Sequence, residues 1–174
     1  MARKPRTWLE VVGEVARYLG AVSLLMVAAI HAQQYYDAYF SAVPTIGRLF
    51  MLNIVGGGIT GLLLLAPVRV LGRRAGDAIL VSGALAGIGV AAGAFTALLV
   101  SEYRPLFGFM ESGYRLAIEL SLLFEGLATL LLAAFVATVA LDRRRAPSGD
   151  DSPVGAARRQ LERRQPVTGR ERAA

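Results

Sequence analysis

The chain contains no cysteine, a single histidine and a single lysine among its 174 residues. The absence of cysteine excludes disulfide bonds, thiolate metal sites and thiol nucleophiles. The one imidazole, His31, therefore leaves any metal site poor in protein ligands. The sequence also shows no nucleophile–base pair, metal cluster, phosphate-binding loop or nucleotide motif, and we do not expect an enzyme.

Long hydrophobic segments dominate what the chain does contain. Hydrophobic residues make up 55% of the sequence, and the mean hydropathy is positive. They are concentrated in four segments of the length that an α-helix needs to cross roughly 30 Å of hydrocarbon. We predict an all-α, antiparallel four-helix transmembrane bundle within residues 18–141. Its spans are predicted at residues 18–40, 48–68, 78–100 and 117–141.

The basic residues predict the orientation of this bundle. Of the 19 Lys and Arg residues, 16 lie before the first span, between spans two and three, or after span four. Basic residues next to spans remain in the cytoplasm. We therefore predict a bacterial plasma-membrane protein with both termini cytoplasmic. The positive net charge then reflects topology and attraction to anionic lipid, and we do not expect a nucleic-acid partner.

Three regions outside the spans have distinct compositions. Residues 1–17 predict an amphipathic lead-in at the inner interface. Residues 142–174 are basic, rich in Pro and Gly and poor in large apolar side chains, which predicts a disordered cytoplasmic tail. The external loop 101–116 mixes aromatic and charged residues, which is typical of a cap at the membrane surface. We assign that cap to Tyr103, Phe107, Phe109, Glu111 and Arg115.

Small residues recur at helical spacing in two of the spans. In lipid, such residues allow helix backbones to approach closely. We predict that they pack the bundle, although glycines at this spacing could also admit a flat ligand or mediate dimerisation. The residues concerned are Asn53, Gly57 and Gly61 in span two, and Gly83/Gly87 and Gly89/Gly93 in span three.

Three ionisable residues fall within predicted spans: His31, Glu119 and Glu125. Such groups cost about 2.5–3.5 kcal/mol each on insertion scales, so they are expected to face the protein interior. Glu119 lies one helical turn from Arg115, and an ion pair between them is its simplest role. His31 and Glu125 each lie about 12–13 Å below the outer end of their span at 1.5 Å per residue. This common depth predicts that the two side chains meet.

Other polar residues extend this region outward. Gln34 and Tyr35 continue the helix face of His31, and Asn53 lies in the outer half of span two. We predict a pocket that opens to the outside. Its predicted lining is His31, Gln34, Tyr35, Asn53, Glu119 and Glu125.

The pair of His31 and Glu125 has several interpretations. The two side chains could simply bond to each other, or to backbone carbonyls, and fix the register of the bundle. Alternatively, the pair relays protons or binds a small polar or amphipathic molecule such as a quinone head group. A third functional interpretation makes His31 a haem or metal ligand, and a bis-histidine haem would require two copies of the chain.

Two stretches, "VPTIGRLFMLN" (43–53) and "LFGFMESGYRLAIELSLLFEGLATLLL" (106–132), resemble an uncharacterised family of small four-span membrane proteins of actinobacteria. The resemblance implies a recurring membrane module and supplies no reaction. The layout is also similar to DoxX-type and small multidrug-transporter bundles, in architecture only. The positions that carry the resemblance are His31, Pro44 to Gly47, Leu49–Phe50, Leu52–Asn53, Phe107 to Phe109 and Glu111.

Together these features favour a non-enzymatic membrane protein whose outward-facing pocket binds a small ligand or relays protons. We expect it to act as an accessory subunit of a redox or transport complex. The alternatives are a structural or assembly factor of a membrane complex and a dimeric proton-coupled small-molecule transporter. The expected partners are the lipid bilayer and either a second copy of the chain or a larger membrane complex.

Overall fold

The computed structural model describes residues 7–110 and 115–145. They form four long helices that are apolar enough to cross a membrane, which confirms the predicted all-α four-helix architecture. Inter-residue contacts group Met1–Ala140 into one compact unit and Leu141–Ala174 into another. Glu111 and the tail beyond residue 145 lie outside the described residues. The helices are α1 (Trp8–Asp37), α2 (Pro44–Leu65), α3 (Arg73–Tyr103) and α4 (Leu116–Arg145), with 3-10 turns at Phe40–Ala42 and Val68–Leu71.

Several helix boundaries differ from the predicted spans, and at three of them charged residues extend the helix. α1 begins at a capping box between Thr7 and Glu10, so the predicted lead-in forms the first turns of the same continuous helix. α3 begins at Arg73 rather than near residue 78, and α4 continues to Arg145, past the predicted start of the tail. Hydropathy selects the apolar part of a helix, whereas Arg and Glu are also good helix formers and extend it.

The order of contacts along α1 shows that it runs antiparallel to α4. Gly13 faces Thr138 and Gly20 faces Leu132, while the side chain of His31 faces Glu125. We call the end of the bundle near Phe40 the outer end and the end near Arg69 the inner end, after the predicted orientation.

Glycines bring the helices together over the inner and middle parts of the bundle. A Cβ atom on Gly57 would lie 3.1 Å from the backbone oxygen of Leu24, so α1 and α2 meet there almost backbone to backbone. Gly83 and Gly87 are likewise buried against leucine side chains. By contrast, no described atom lies within 4 Å of the Cβ position at Gly89 or Gly93. The packing prediction therefore holds for the first pair in α3 and not for the second.

A network of ion pairs joins the start of α1 to the connection between α2 and α3. Arg17 is buried: its Nη1 donates to the backbone oxygen of Leu64 at 2.9 Å and its Nη2 to Glu14 at 2.7 Å. Glu14 also accepts from Arg69, whose Nε donates to Asp77 at 2.7 Å. Because the last carbonyls of a helix have no partner within it, Arg17 satisfies one at the end of α2.

An apolar layer separates this network from His31. Its large side chains are fully buried and come from all four helices. Contacts of this kind supply the van der Waals packing on which helix association in lipid depends. The layer contains Leu24, Leu64, Leu80, Leu132 and Phe135.

The neighbouring glycines of α2 provide a matched test of the backbone contact. We expect Gly57→Leu to lower the free energy of unfolding by about 1–3 kcal/mol, because the new side chain must push α1 away from α2. Gly58→Leu should change it by less than about 0.5 kcal/mol, since no described atom lies within 4 Å of its Cβ position. Unfolding by a denaturing detergent measures both. An equal loss of stability in the two variants would contradict the close contact between α1 and α2 at Gly57.

We expect Arg17→Met to lower the free energy of unfolding by about 1–3 kcal/mol. The substitution keeps an apolar stem but leaves the carbonyl of Leu64 without its donor. Arg74→Met, at an exposed position of α3, is the control and should be nearly neutral. The same unfolding assay applies, and an Arg17→Met variant as stable as this control would show that the hydrogen bonds of Arg17 do not stabilise the bundle.

Candidate functional site

A cavity of about 90 Å³ lies at the outer end, lined by all four helices. By the same measure a water molecule needs roughly 10–15 Å³, so the cavity has room for several waters or a small ligand. Its walls are mainly apolar, with Phe40, Phe50 and Phe109 as the aromatic members. The polar side chains that line it are those of His31, Gln34, Asn53, Ser101, Arg115, Ser121 and Glu125.

The imidazole of His31 is held by its own helix. Its Nδ1 lies 2.9 Å from the backbone oxygen of Val27, one turn earlier. A carbonyl oxygen can only accept a hydrogen bond, so Nδ1 carries a proton and donates it. In the neutral ring, Nε2 then has a free lone pair. This nitrogen lies 3.7 Å from Oε1 of Glu125, so the predicted meeting of the two side chains is present.

The carboxyl group of Glu125 is buried without a hydrogen-bond partner. Its side chain is 1% exposed, and neither oxygen accepts or donates a hydrogen bond among the residues that the structure describes. The 3.7 Å to His31 is longer than a hydrogen bond. A polar group left in this state costs about 1–3 kcal/mol, more if charged. Such a cost requires an explanation, and a site that awaits a ligand provides one.

A column of aromatic rings runs from His31 to the outer end. The ring centroids of His31 and Phe50 are 5.0 Å apart, and Phe50 stacks on Phe40 at 4.8 Å. Phe40 in turn meets Phe109 edge to face at 5.4 Å. These distances are typical of favourable aromatic pairs. The column therefore connects the buried imidazole to the outer loop.

A tight turn places Phe109 at the end of this column. Leu106 and Phe109 exchange two backbone hydrogen bonds, of 2.7 and 2.9 Å. Between them, Phe107 and Gly108 both have positive φ, 51° and 81°, which is the pattern of a type I′ turn. The "FGF" segment thus turns the chain back so that Phe109 and Leu106 line the cavity while Phe107 stays exposed.

Four of the six predicted pocket residues line the cavity: His31, Gln34, Asn53 and Glu125. Tyr35 and Glu119 do not. The ring of Tyr35 lies against that of Tyr36 instead, and Glu119 is exposed. Glu119 precedes Glu125 by six residues, which rotates it about 120° away around the helix. The prediction considered only how deep each residue lies along α4, and not which face of the helix it occupies.

The predicted cap residues also separate into two groups. Phe109 and Arg115 line the cavity, whereas Tyr103 and Phe107 are mainly exposed; Glu111 is outside the described residues. Sequence reasoning missed Phe50 as a site residue. The spacing could have indicated it, because Phe50 precedes Asn53 by three residues and therefore lies on the same face of the helix.

The side chains of the site limit which metal or cofactor it could hold. Among residues 7–110 and 115–145, no group of three or more His, Cys, Asp or Glu side chains could hold a metal ion. Any ligand of the imidazole would have to approach Nε2, since Nδ1 is bonded to Val27.

Comparison of the chain with protein-family models, with curated proteins and with solved structures found no match. The resemblance to actinobacterial four-span proteins therefore stays a prediction. Any function must be inferred from the cavity itself.

Replacement of Glu125 tests whether its carboxyl group is unsatisfied. We expect Glu125→Met to raise the free energy of unfolding by about 1–2 kcal/mol, because a side chain of similar size replaces an unpaired buried polar group. Glu119→Met, on the exposed face of the same helix, should be nearly neutral. Unfolding of ligand-free protein in detergent measures both. A loss of stability in Glu125→Met would show that the carboxyl group stabilises the bundle.

Proposed function

We propose that this protein is a multi-pass plasma-membrane protein, with both termini in the cytoplasm, that binds a small amphipathic molecule in its outer cavity. The observation that carries the proposal is the carboxyl group of Glu125, buried without a hydrogen-bond partner among the described residues, beside His31 at the cavity wall. A bound molecule with a polar end would satisfy this group. The site would then be complete only when it is occupied.

The composition of the cavity walls supports the same proposal. Sites for small molecules are concave and mostly apolar, with a few polar groups that fix orientation. Here the apolar part comes from Phe40, Phe50 and Phe109 together with aliphatic residues, and the polar groups converge from different helices. A molecule with an apolar body and one polar end fits this arrangement.

The apolar layer favours binding over transport across the membrane. A proton relay or a transporter needs polar groups or water along its path through the bilayer. Inward from Glu125, the buried residues of α4 are Ala128, Leu132 and Phe135, which pack into the core. This layer supports a site that is reached from one side.

Purification in a mild detergent tests the proposal. We expect native mass spectrometry to detect a bound molecule on the wild-type protein, and absorbance to reveal it if it is coloured. Ala94→Trp should reduce occupancy at least tenfold, because Ala94 lines the cavity and the indole would fill it. Ala86→Trp, at an exposed position of the same helix, should keep full occupancy.

Glu125→Met and Glu119→Met extend this experiment. Loss of occupancy only in the Glu125 variant would support its role in binding. A wild-type protein that carries no bound molecule besides detergent and bulk lipid would contradict the proposal. Equal occupancy in Ala94→Trp and Ala86→Trp would contradict it as well.

A further inference from the structure

We infer that the cavity recognises a phenol-type group, an aromatic ring whose hydroxyl bridges His31 and Glu125. This inference rests on the proposed function and names the chemical class of the ligand. Three features of the site carry it: the protonation pattern of the pair, the distance between the two side chains, and the aromatic wall beside them.

The hydrogen bond of His31 limits what the pair can offer. Because Nδ1 donates to Val27, the pair is electrically neutral when it holds one further proton, on the carboxyl group or on Nε2. A buried net charge is costly in apolar surroundings, so the neutral pair is favoured. With the proton on Glu125, the site presents one donor, the carboxyl O–H, next to one acceptor, Nε2.

A single hydroxyl can bridge donor and acceptor once the two side chains move slightly apart. Oε1 and Nε2 are 3.7 Å apart, whereas an oxygen that bonds both at about 2.8 Å with a near-tetrahedral angle needs about 4.5 Å between them. Both carboxyl oxygens are buried, so the bound hydroxyl must separate the pair by roughly 1 Å. A hydroxyl group accepts from the carboxyl and donates to Nε2. An ether or a carbonyl oxygen can only accept and would leave Nε2 unpaired. The pair thus selects for a hydroxyl.

The walls next to the pair suit an aromatic ring. Phe50 contacts the imidazole of His31 and stacks on Phe40, and both rings line the cavity. From α3, Ala94 and Ala97 line the same cavity with short side chains that leave room for a flat group. A ring held against Phe50 gains the geometry-dependent attraction of aromatic pairs in addition to burial.

The charge of the site disfavours ionic ligands. An anion near Glu125 would meet a carboxyl group, and the one buried cation among the described residues, Arg17, is bonded to Glu14 and Leu64 beyond the apolar layer. Arg115 also lines the cavity, but it is exposed and lies ten residues before Glu125, about 15 Å away along the helix axis. A cation would require an ionised Glu125 and a neutral His31 in the same apolar cavity. A neutral hydroxyl avoids both costs.

Binding of three matched probes tests the inference. The probes are 4-ethylphenol, its methyl ether 4-ethylanisole, and the saturated analogue 4-ethylcyclohexanol. Equilibrium dialysis against the protein in lipid nanodiscs measures each, with empty nanodiscs as the correction for partitioning into lipid. We expect the wild-type protein to bind the phenol at least tenfold more tightly than the ether, because the ether leaves Nε2 without a donor. The cyclohexanol should also bind more weakly than the phenol.

Variants identify the groups responsible for this preference. Glu125→Met should abolish the preference for phenol over ether. Glu125→Gln should retain it, because the amide N–H can donate in place of the carboxyl O–H. Glu119→Met should behave as the wild type. Phe50→Leu should remove the preference for phenol over cyclohexanol while the preference over the ether remains.

Equal binding of phenol and ether by the wild type would overturn the inference, and so would a preference that survives in Glu125→Met or is lost in Glu125→Gln. Failure of all three probes to bind would overturn it too. The proposed function fails separately, when the purified protein carries no bound molecule. If a molecule is bound but the probes show no preference for the hydroxyl, the cavity is a ligand site and only its assigned ligand class is wrong.

Discussion

The structure depends on the cost of leaving a polar group unpaired inside an apolar helix bundle. Two buried ionisable side chains offset part of this cost within the protein, although Nε of Arg17 has no hydrogen-bond partner among the described residues. Arg17 donates to Glu14 and to the last turn of α2, and His31 donates from Nδ1 to Val27. Glu125 differs from both, because neither of its oxygens has a hydrogen-bond partner in the described part of the chain. The same physical rule thus separates the residues that hold the fold together from the one that points to a ligand.

These groups lie at different levels of the bundle. Arg17 and its partners form an ionic layer at the inner end, where they connect α1 to the link between α2 and α3. The leucines and Phe135 fill the middle, and the cavity with its few polar groups lies on the outer side of them. Because the middle layer is closely packed and apolar, a molecule in the cavity would not share a continuous polar path with the ionic layer. This separation is why the geometry supports binding more strongly than translocation.

The sequence predicted the architecture well and the site in part, for a physical reason. Hydropathy over about 20 residues is an additive property of a segment, so four spans could be recognised without knowledge of their contacts. Depth is also additive, at 1.5 Å per residue, and it correctly brought His31 to Glu125. The direction in which a side chain points depends on how its helix is rotated against its neighbours. For this reason Glu119 and Tyr35 were predicted to line the cavity and do not. The partners of Arg17 were unpredictable for the same reason, since Leu64 contributes a backbone oxygen that no residue type encodes.

The position of the cavity follows from where the close helix contacts end. Between the long helices, the tight glycine contacts lie over the inner and middle turns, where they leave no space. Further out, Gly89 and Gly93 face away from the bundle, and the side chains that line the interior are alanines, serines and the aromatic column. Small residues there do not draw the backbones together, because they face a cavity rather than another helix. The glycines that tighten the bundle are therefore also the reason that its open space lies at the level of His31 and Glu125. The glycines concerned are Gly13, Gly20, Gly57, Gly61, Gly83 and Gly87.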